Sequence, residues 1–278
     1  MDLSEQRESG NVRDRRGQGT MIAGGGVGAA VIGAILYFVF GVNPQGLIPQ
    51  AGPAAGAKVD PNDPQAIFVK KVLGSTEDVW NTQFRKVAQR YQEPKLNIFR
   101  GSVQSACGHA DAAVGPFYCP GDNEVYLDLD FFQVMEKQLK AGGDFARAYV
   151  VAHEVGHHVQ NLLGYSQRAE EMKRREGDNK PSVRLELQAD YLAGVWGHYA
   201  QHALKLDRRD LDSALNAAFQ IGDDTLQKRG SGRVVPEKFT HGTSQQRLAA
   251  FKAGFETGKF DRPALDYFFV TPYQDLAK

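Results

Sequence analysis

The chain has 278 residues, 42% hydrophobic and 24% charged, with a formal net charge of zero. That length allows one good-sized folded domain plus an appendage. The absence of a basic excess excludes nucleic acid as a default partner, and two cysteines are too few for a disulfide-framework protein.

Residues 1–19 are polar and mixed in charge, with Arg7, Arg13, Arg15 and Arg16. This composition predicts a disordered tail. Residues 20–41 carry no charge, and Ile32 to Phe40 is strongly apolar. The stretch is long enough to be expected to cross a bilayer as one helix. A cleaved signal peptide is the rival reading, but Asn43-Pro44-Gln45-Gly46 is not a small-x-small cleavage site. The four arginines precede the span, and no Lys or Arg follows before Lys58. The positive-inside rule then predicts a single-pass inner (plasma) membrane protein with a cytoplasmic N-terminus and a periplasmic or extracellular domain. Residues 42–63, rich in Pro, Gly and Ala, read as a tether.

The folded domain is expected over residues 64–278. Gln65 to Leu73 has helical spacing, and Ser75-Thr76-Glu77-Asp78 resembles an N-cap opening a second helix to about Tyr91. Lys95 to Phe99 reads as a short strand and Gly101 to Ala112 as loop. Ala113 to Tyr118 and Glu124 to Asp128 flank Pro120-Gly121-Asp122-Asn123, a hairpin signature. Pro116 lacks an N–H and demotes the first strand to an edge. Phe131 to Leu139, Phe145 to Leu163, Val183 to Leu204 and Leu211 to Lys228 read as helices. Between them, 165–181 is expected to be a helical turn and a mobile loop. Thr243-Ser244-Gln245-Gln246 is a capping box opening a helix to about Glu256. Gly258 to Lys278 is aromatic and irregular.

The chemistry concentrates in His153-Glu154-Val155-Gly156-His157. It lies in an apolar, Pro-free window that ends at Gly164, a glycine C-cap. Histidines four apart share one helix face, so His153 and His157 point two imidazoles at one place. Glu154 lies one position round, within reach of a water held there. This is the H-E-x-x-H pattern of two zinc ligands and a general base. Gly156 is expected to keep the helix surface low beside the metal. Zinc catalysis needs a third protein ligand and an open position. Glu186 and Asp190 stand four apart among apolar residues. Glu186 is read as the third Zn²⁺ ligand, and Asp190 as the acceptor that orients a ligating imidazole, His153. His158 points about 100° away from His157 and is left out. His198 and His202 are also four apart, but no acid lies between them to act as base. Cys107, His109 and Cys119 allow a second metal site. A Cys107–Cys119 disulfide is preferred because the predicted topology places them outside the cytoplasm.

HEVGHHVQ, LELQADYLAG and the stretch Thr240-His241-Gly242-Thr243-Ser244-Gln245-Gln246-Arg247 together resemble the bacterial neutral zinc metallopeptidase family (YpfJ-like), within the gluzincin type of zincin. The resemblance covers nearly the whole chain and is strongest from about Lys58 to Phe255. It implies an α+β fold, a mainly helical zincin-like metalloprotease domain with a small antiparallel sheet, here preceded by the transmembrane helix. It implies that peptide or protein substrate lies along the Ala113–Tyr118 edge strand. It also implies that His241 donates to the oxyanion; together with the expected span, this reads as a membrane-anchored zinc metalloendopeptidase. The alternative is a non-catalytic, membrane-tethered zinc-binding or chaperone-like module. The intact Glu154 speaks against that, since a structural zinc site closes its fourth position with a ligand.

Overall fold

The structure, a computed structural model, describes residues 1–16, 59–111, 115–177 and 179–276. The chain is mainly helical, with two small sheets. Strands β1 (Val12–Asp14), β2 (Lys95–Phe99), β5 (Phe117–Cys119) and β6 (Glu124–Asp128) form one sheet in the order β1-β2-β6-β5. The expected antiparallel sheet is therefore mixed: β1–β2 and β2–β6 run parallel, and only the β5–β6 hairpin is antiparallel. The hairpin expected from Pro120–Asn123 forms, with β5 at the edge, although Ala113 and Val114 lie outside the described residues. The stretch read as loop forms a second, antiparallel hairpin, β3 (Ser102–Ser105) and β4 (Gly108–Asp111). Cys107 and Cys119 are bridged, tying the β3–β4 turn to the edge strand.

Residues 64–86 form one unbroken helix, α1 (Pro64–Lys86), with Asp63 accepting from the Gln65 N–H at its start. The cap expected at Ser75–Asp78 is not a helix start. Ser75, Thr76 and Glu77 are buried in mid-helix; Ser75 and Glu77 are satisfied by tertiary partners and Thr76 by its own helix. Trp196 Nε1 donates to Ser75 Oγ (3.2 Å), and Thr76 Oγ1 donates to the Leu73 carbonyl (2.7 Å). Glu77 receives Ser9 Oγ (2.6 Å), Asn11 Nδ2 (2.8 Å) and Arg7 (2.8 Å).

Those three donors belong to the segment expected to be a disordered tail. Instead, residues 1–16 pack along the domain. Val12, Arg13 and Asp14 pair with Leu96, Asn97 and Ile98. The Met1 amino group meets Asp210 (2.6 Å), and Arg16 is clamped to Asp63. Besides the local Asp14, the acids that neutralise this Arg-rich segment, Glu77, Asp78, Asp63 and Glu124, come from distant sequence, which composition does not reveal. The membrane placement is corrected with it. Among the described residues no helix is long and apolar enough to cross a membrane. The 20–41 span and residues 42–58 of the tether lie outside the described residues. Residues 1–16 and 59–276 share one folded unit, which a single crossing between them would separate.

The remaining helices are α2 (Phe131–Lys137), α3 (Asp144–Leu162), α4 (Tyr165–Glu176), α5 (Asn179–Ala200), α6 (Arg208–Gln220), α7 (Asp223–Gly230), α8 (Ser244–Thr257) and α9 (Arg262–Val270). Helix α4 replaces the expected loop, and α9 part of the expected irregular tail. The single helix expected over Leu211–Lys228 breaks at Gly222, whose ψ of 144° is extended. Gly164 ends α3 as expected, with φ of 85°, and directly opens α4. Thr243 and Gln246 form the expected capping box.

Helix α5 is the hub, packed against α1, α3, α4, α8 and α9. Its crossing with α8 is unusually close. A Cβ on Gly194 would lie 2.1 Å from the Phe251 carbonyl oxygen, and one on Gly254 would lie 2.0 Å from that of Tyr191. Gly156 serves the same purpose between α3 and α5: a Cβ there would meet Ala189 O at 3.0 Å. That corrects the expectation that Gly156 clears space beside a metal. It lets the two helices that carry the candidate ligands approach each other.

Candidate metal centre

Helix α3 carries His153 and His157 on one face, and α5 turns Glu186 towards them. One donor atom from each lies within 4.8 Å of the others. His153 Nε2 is 3.2 Å and His157 Nε2 3.5 Å from the Glu186 carboxylate. On each imidazole the other nitrogen is committed elsewhere. His153 Nδ1 lies 2.8 Å from Asp190 Oδ1, and His157 Nδ1 lies 2.8 Å from Gln160 Oε1. An ionised carboxylate can only accept, so His153 Nδ1 carries the hydrogen and Nε2 faces the cluster. Two imidazole nitrogens and a carboxylate converging on one point are the donor set a zinc site uses. The residues present therefore fit Zn²⁺.

Asp190 is fully buried and heavily held. Tyr149 donates its hydroxyl to Oδ1 (2.5 Å). Arg247 reaches both carboxylate oxygens, Nε to Oδ2 (2.8 Å) and Nη2 to Oδ1 (2.9 Å). The sequence reading gave no role to Arg247 or Tyr149. Their signal was present in part, since Arg247 sits in α8's first turn and follows the capping box. Only the α5–α8 crossing reveals its partner.

The charges follow this geometry. Burial works against ionisation of Asp190, but Arg247 and His153 hold it below the usual carboxylate range. Burial likewise opposes a charged His153, but Asp190 and Glu186 outweigh it and raise it to about 10. Glu186 is held well below its ordinary value by His241, His157 and His153, despite burial. Glu154 goes the other way: burial raises it, and the pull of His153 and His157 only partly compensates.

These side chains open onto a cavity of about 610 Å³, walled on one side by Gly115 and Pro116 and by Phe117 and Tyr118 of the edge strand. His241 lines the same cavity. Asp223 accepts from the backbone N–H groups of Thr240 (2.7 Å), His241 (2.7 Å) and Gly242 (3.0 Å), and lies 3.3 Å from His241 Nδ1. Burial lowers the His241 pKa, but Glu186 and Asp223 raise it on balance. Asp223 was not singled out from sequence; the break at Gly222 is what delivers it.

The histidines set aside earlier lie elsewhere. His158 is buried between the Gln92 carbonyl (2.6 Å) and the Tyr118 hydroxyl (3.2 Å). His198 Nδ1 is bound to the Phe255 carbonyl (2.8 Å).

The chain matches the family described as "Putative neutral zinc metallopeptidase" over residues 1–264. It belongs to that family. The matched region includes the N-terminal segment that packs as β1. Among relatives of this chain, "Uncharacterized protein YpfJ" of Escherichia coli (strain K12) is 46% identical over 270 residues, covering 91% of this chain and 94% of the relative. "Uncharacterized protein Mb2605" of Mycobacterium bovis is 42% identical over 202 residues, covering 69% of this chain and 68% of the relative. No solved structure matches. A zinc metallopeptidase family implies Zn²⁺, and the His153–His157–Glu186 cluster is where this chain offers three ligands.

Proposed function

We propose that this protein is a zinc-dependent metalloendopeptidase with a zincin-like site. The observation that carries the reading is the three-donor cluster on a cavity wall with Glu154 beside it and an edge strand at the rim. His153, His157 and Glu186 hold the metal. Zinc bound there would supply a Lewis acid that polarises the scissile carbonyl and acidifies a water.

The chain's own groups do the rest. A peptide enters as an added strand along β5, whose outer edge has no strand neighbour among the described residues, and main-chain hydrogen bonds hold it. Glu154 accepts the proton of the attacking water and passes it to the leaving amine. Its burial favours the protonated form, which suits a carboxylate that must take a proton and then give it up. His241, oriented by Asp223, donates to the developing oxyanion. Tyr149 is not available for that role, because its hydroxyl is committed to Asp190.

Internally quenched peptides, offered to the purified full chain with zinc, with chelator, and with zinc restored, test this. Hydrolysis that disappears with chelator and returns with zinc is the expected result. A zinc-loaded protein that cuts none of a broad peptide library would favour a non-catalytic zinc-binding module.

A further inference from the structure

Gln160 is fully buried at the crossing of α3 and α5, one turn beyond His157. Its two amide atoms do different things. Nε2 donates to the Leu185 carbonyl of α5 (2.7 Å), and Oε1 faces His157 Nδ1 at 2.8 Å. The orientation is fixed by chemistry, because a carbonyl oxygen can only accept. The NH₂ must therefore face Leu185, which leaves Oε1 to His157. Nδ1 then carries the hydrogen, and the Nε2 lone pair of His157 is turned towards Glu186.

The geometry points to Gln160 as a positioning residue for the metal centre. It sets the tautomer of His157 and ties that ligand to the backbone residue immediately before Glu186. One amide thus fixes a ligand on α3 relative to a ligand on α5. The two histidines are held differently: Asp190 gives His153 a charged acceptor, whereas Gln160 gives His157 a neutral one that also donates. A carboxylate here would face the Leu185 oxygen with no hydrogen to offer, and an apolar side chain would leave His157 Nδ1 without its acceptor and remove the tie to Leu185. An outer partner of a ligating histidine is worth about 10–100-fold in metal affinity.

This inference rests on the zinc reading above, and the test separates the two. Zinc affinity of the full-length protein is measured by chelator competition for wild type, Gln160→Met and Gln160→Glu, together with the melting temperature with and without zinc. Gln160→Met, close in size, should bind zinc about 10–100-fold more weakly and show a smaller zinc-induced rise in melting temperature. Gln160→Glu, which keeps the acceptor for His157 but not the donor to Leu185, should recover part of the loss. Met-variant affinity equal to wild type, or a Glu variant no better than the Met variant, would overturn the assignment. Should Gln160→Met fail to fold, nitrogen NMR of the zinc-loaded wild type decides. The His157 ring must carry its hydrogen on Nδ1, and an Nε2–H tautomer overturns the proposal. A wild type that binds no zinc would remove the metallopeptidase reading and this inference with it.

Discussion

His153 Nδ1 and Asp190 Oδ1 lie 2.8 Å apart, and the same carboxylate is gripped from the far side by the buried Arg247 guanidinium. Asp190 thus serves the metal ligand and the α5–α8 packing at once. Its replacement should show both roles.

Asp190→Asn should weaken zinc binding by about 10–100-fold. It should also destabilise the metal-free protein, because Arg247 is left as a buried charge without its counter-ion, a loss of about 3–5 kcal/mol. Glu186→Gln should weaken zinc binding more sharply and leave metal-free stability less affected, since Glu186 faces only the histidine cluster. Chelator titration and denaturant unfolding of both variants measure this. Asp190→Asn with wild-type metal-free stability would contradict the Arg247 ion pair.

Glu154→Gln keeps size and hydrogen-bonding shape but cannot take a proton. Peptide hydrolysis should fall by about 10²–10⁴-fold, while zinc content stays near that of wild type. Metal analysis alongside a quenched-peptide assay checks it. Loss of zinc together with activity would make Glu154 a structural residue.

The raised His153 sets a pH dependence for the metal-free protein. A histidine whose folded pKa lies above its ordinary 6.5 contributes stability that is complete below about 6.5. That contribution is lost as pH climbs through about 10. Unfolding of the metal-free protein should therefore become easier across that window. A zinc-ligating imidazole must be neutral, so zinc should bind more tightly as pH rises through the same range. Melting temperatures and zinc competition between pH 6 and 10 report both trends. Zinc affinity flat across this range would contradict the charged His153.

Reduction of the Cys107–Cys119 bridge, whose cysteines are 12 apart in sequence, should cost about 2–4 kcal/mol in denaturant unfolding. Because Cys119 ends the edge strand, KM for peptides should rise more than kcat falls. An unchanged KM would mean that β5 keeps its place without the bridge.

What could be read from sequence was what lies within one helix or one turn. The His153–His157 pair and the Glu186–Asp190 spacing needed only helical periodicity, and the Thr243 cap only its own capping box. Partners brought in by tertiary contact were invisible. Ser75 and Glu77 look like part of a helix start because nothing local says that Trp196, Ser9 and Asn11 will satisfy them. Arg247 and Asp223 carry no motif spacing relative to Asp190 and His241, the residues they hold, and Gln160, although one turn from His157, gives no sign in sequence of its second bond to Leu185. The Arg-rich N-terminal residues read as a tail because most of their acidic partners, among them Glu77, Asp63 and Glu124, lie far along the chain.

The parallel pairing of β1 with β2 also constrains biosynthesis. Val12 to Asp14 leave the ribosome well before Leu96 to Ile98 exist to receive them, and Met1 meets a partner 209 residues away. Contacts of such separation form late, after the local helices. The earliest-made strand is therefore among the last to dock. In that interval the outer rim of β2 presents unpaired N–H and C=O groups. Until Val12 to Asp14 return to close the sheet, that rim is an open edge of the kind another strand can pair with.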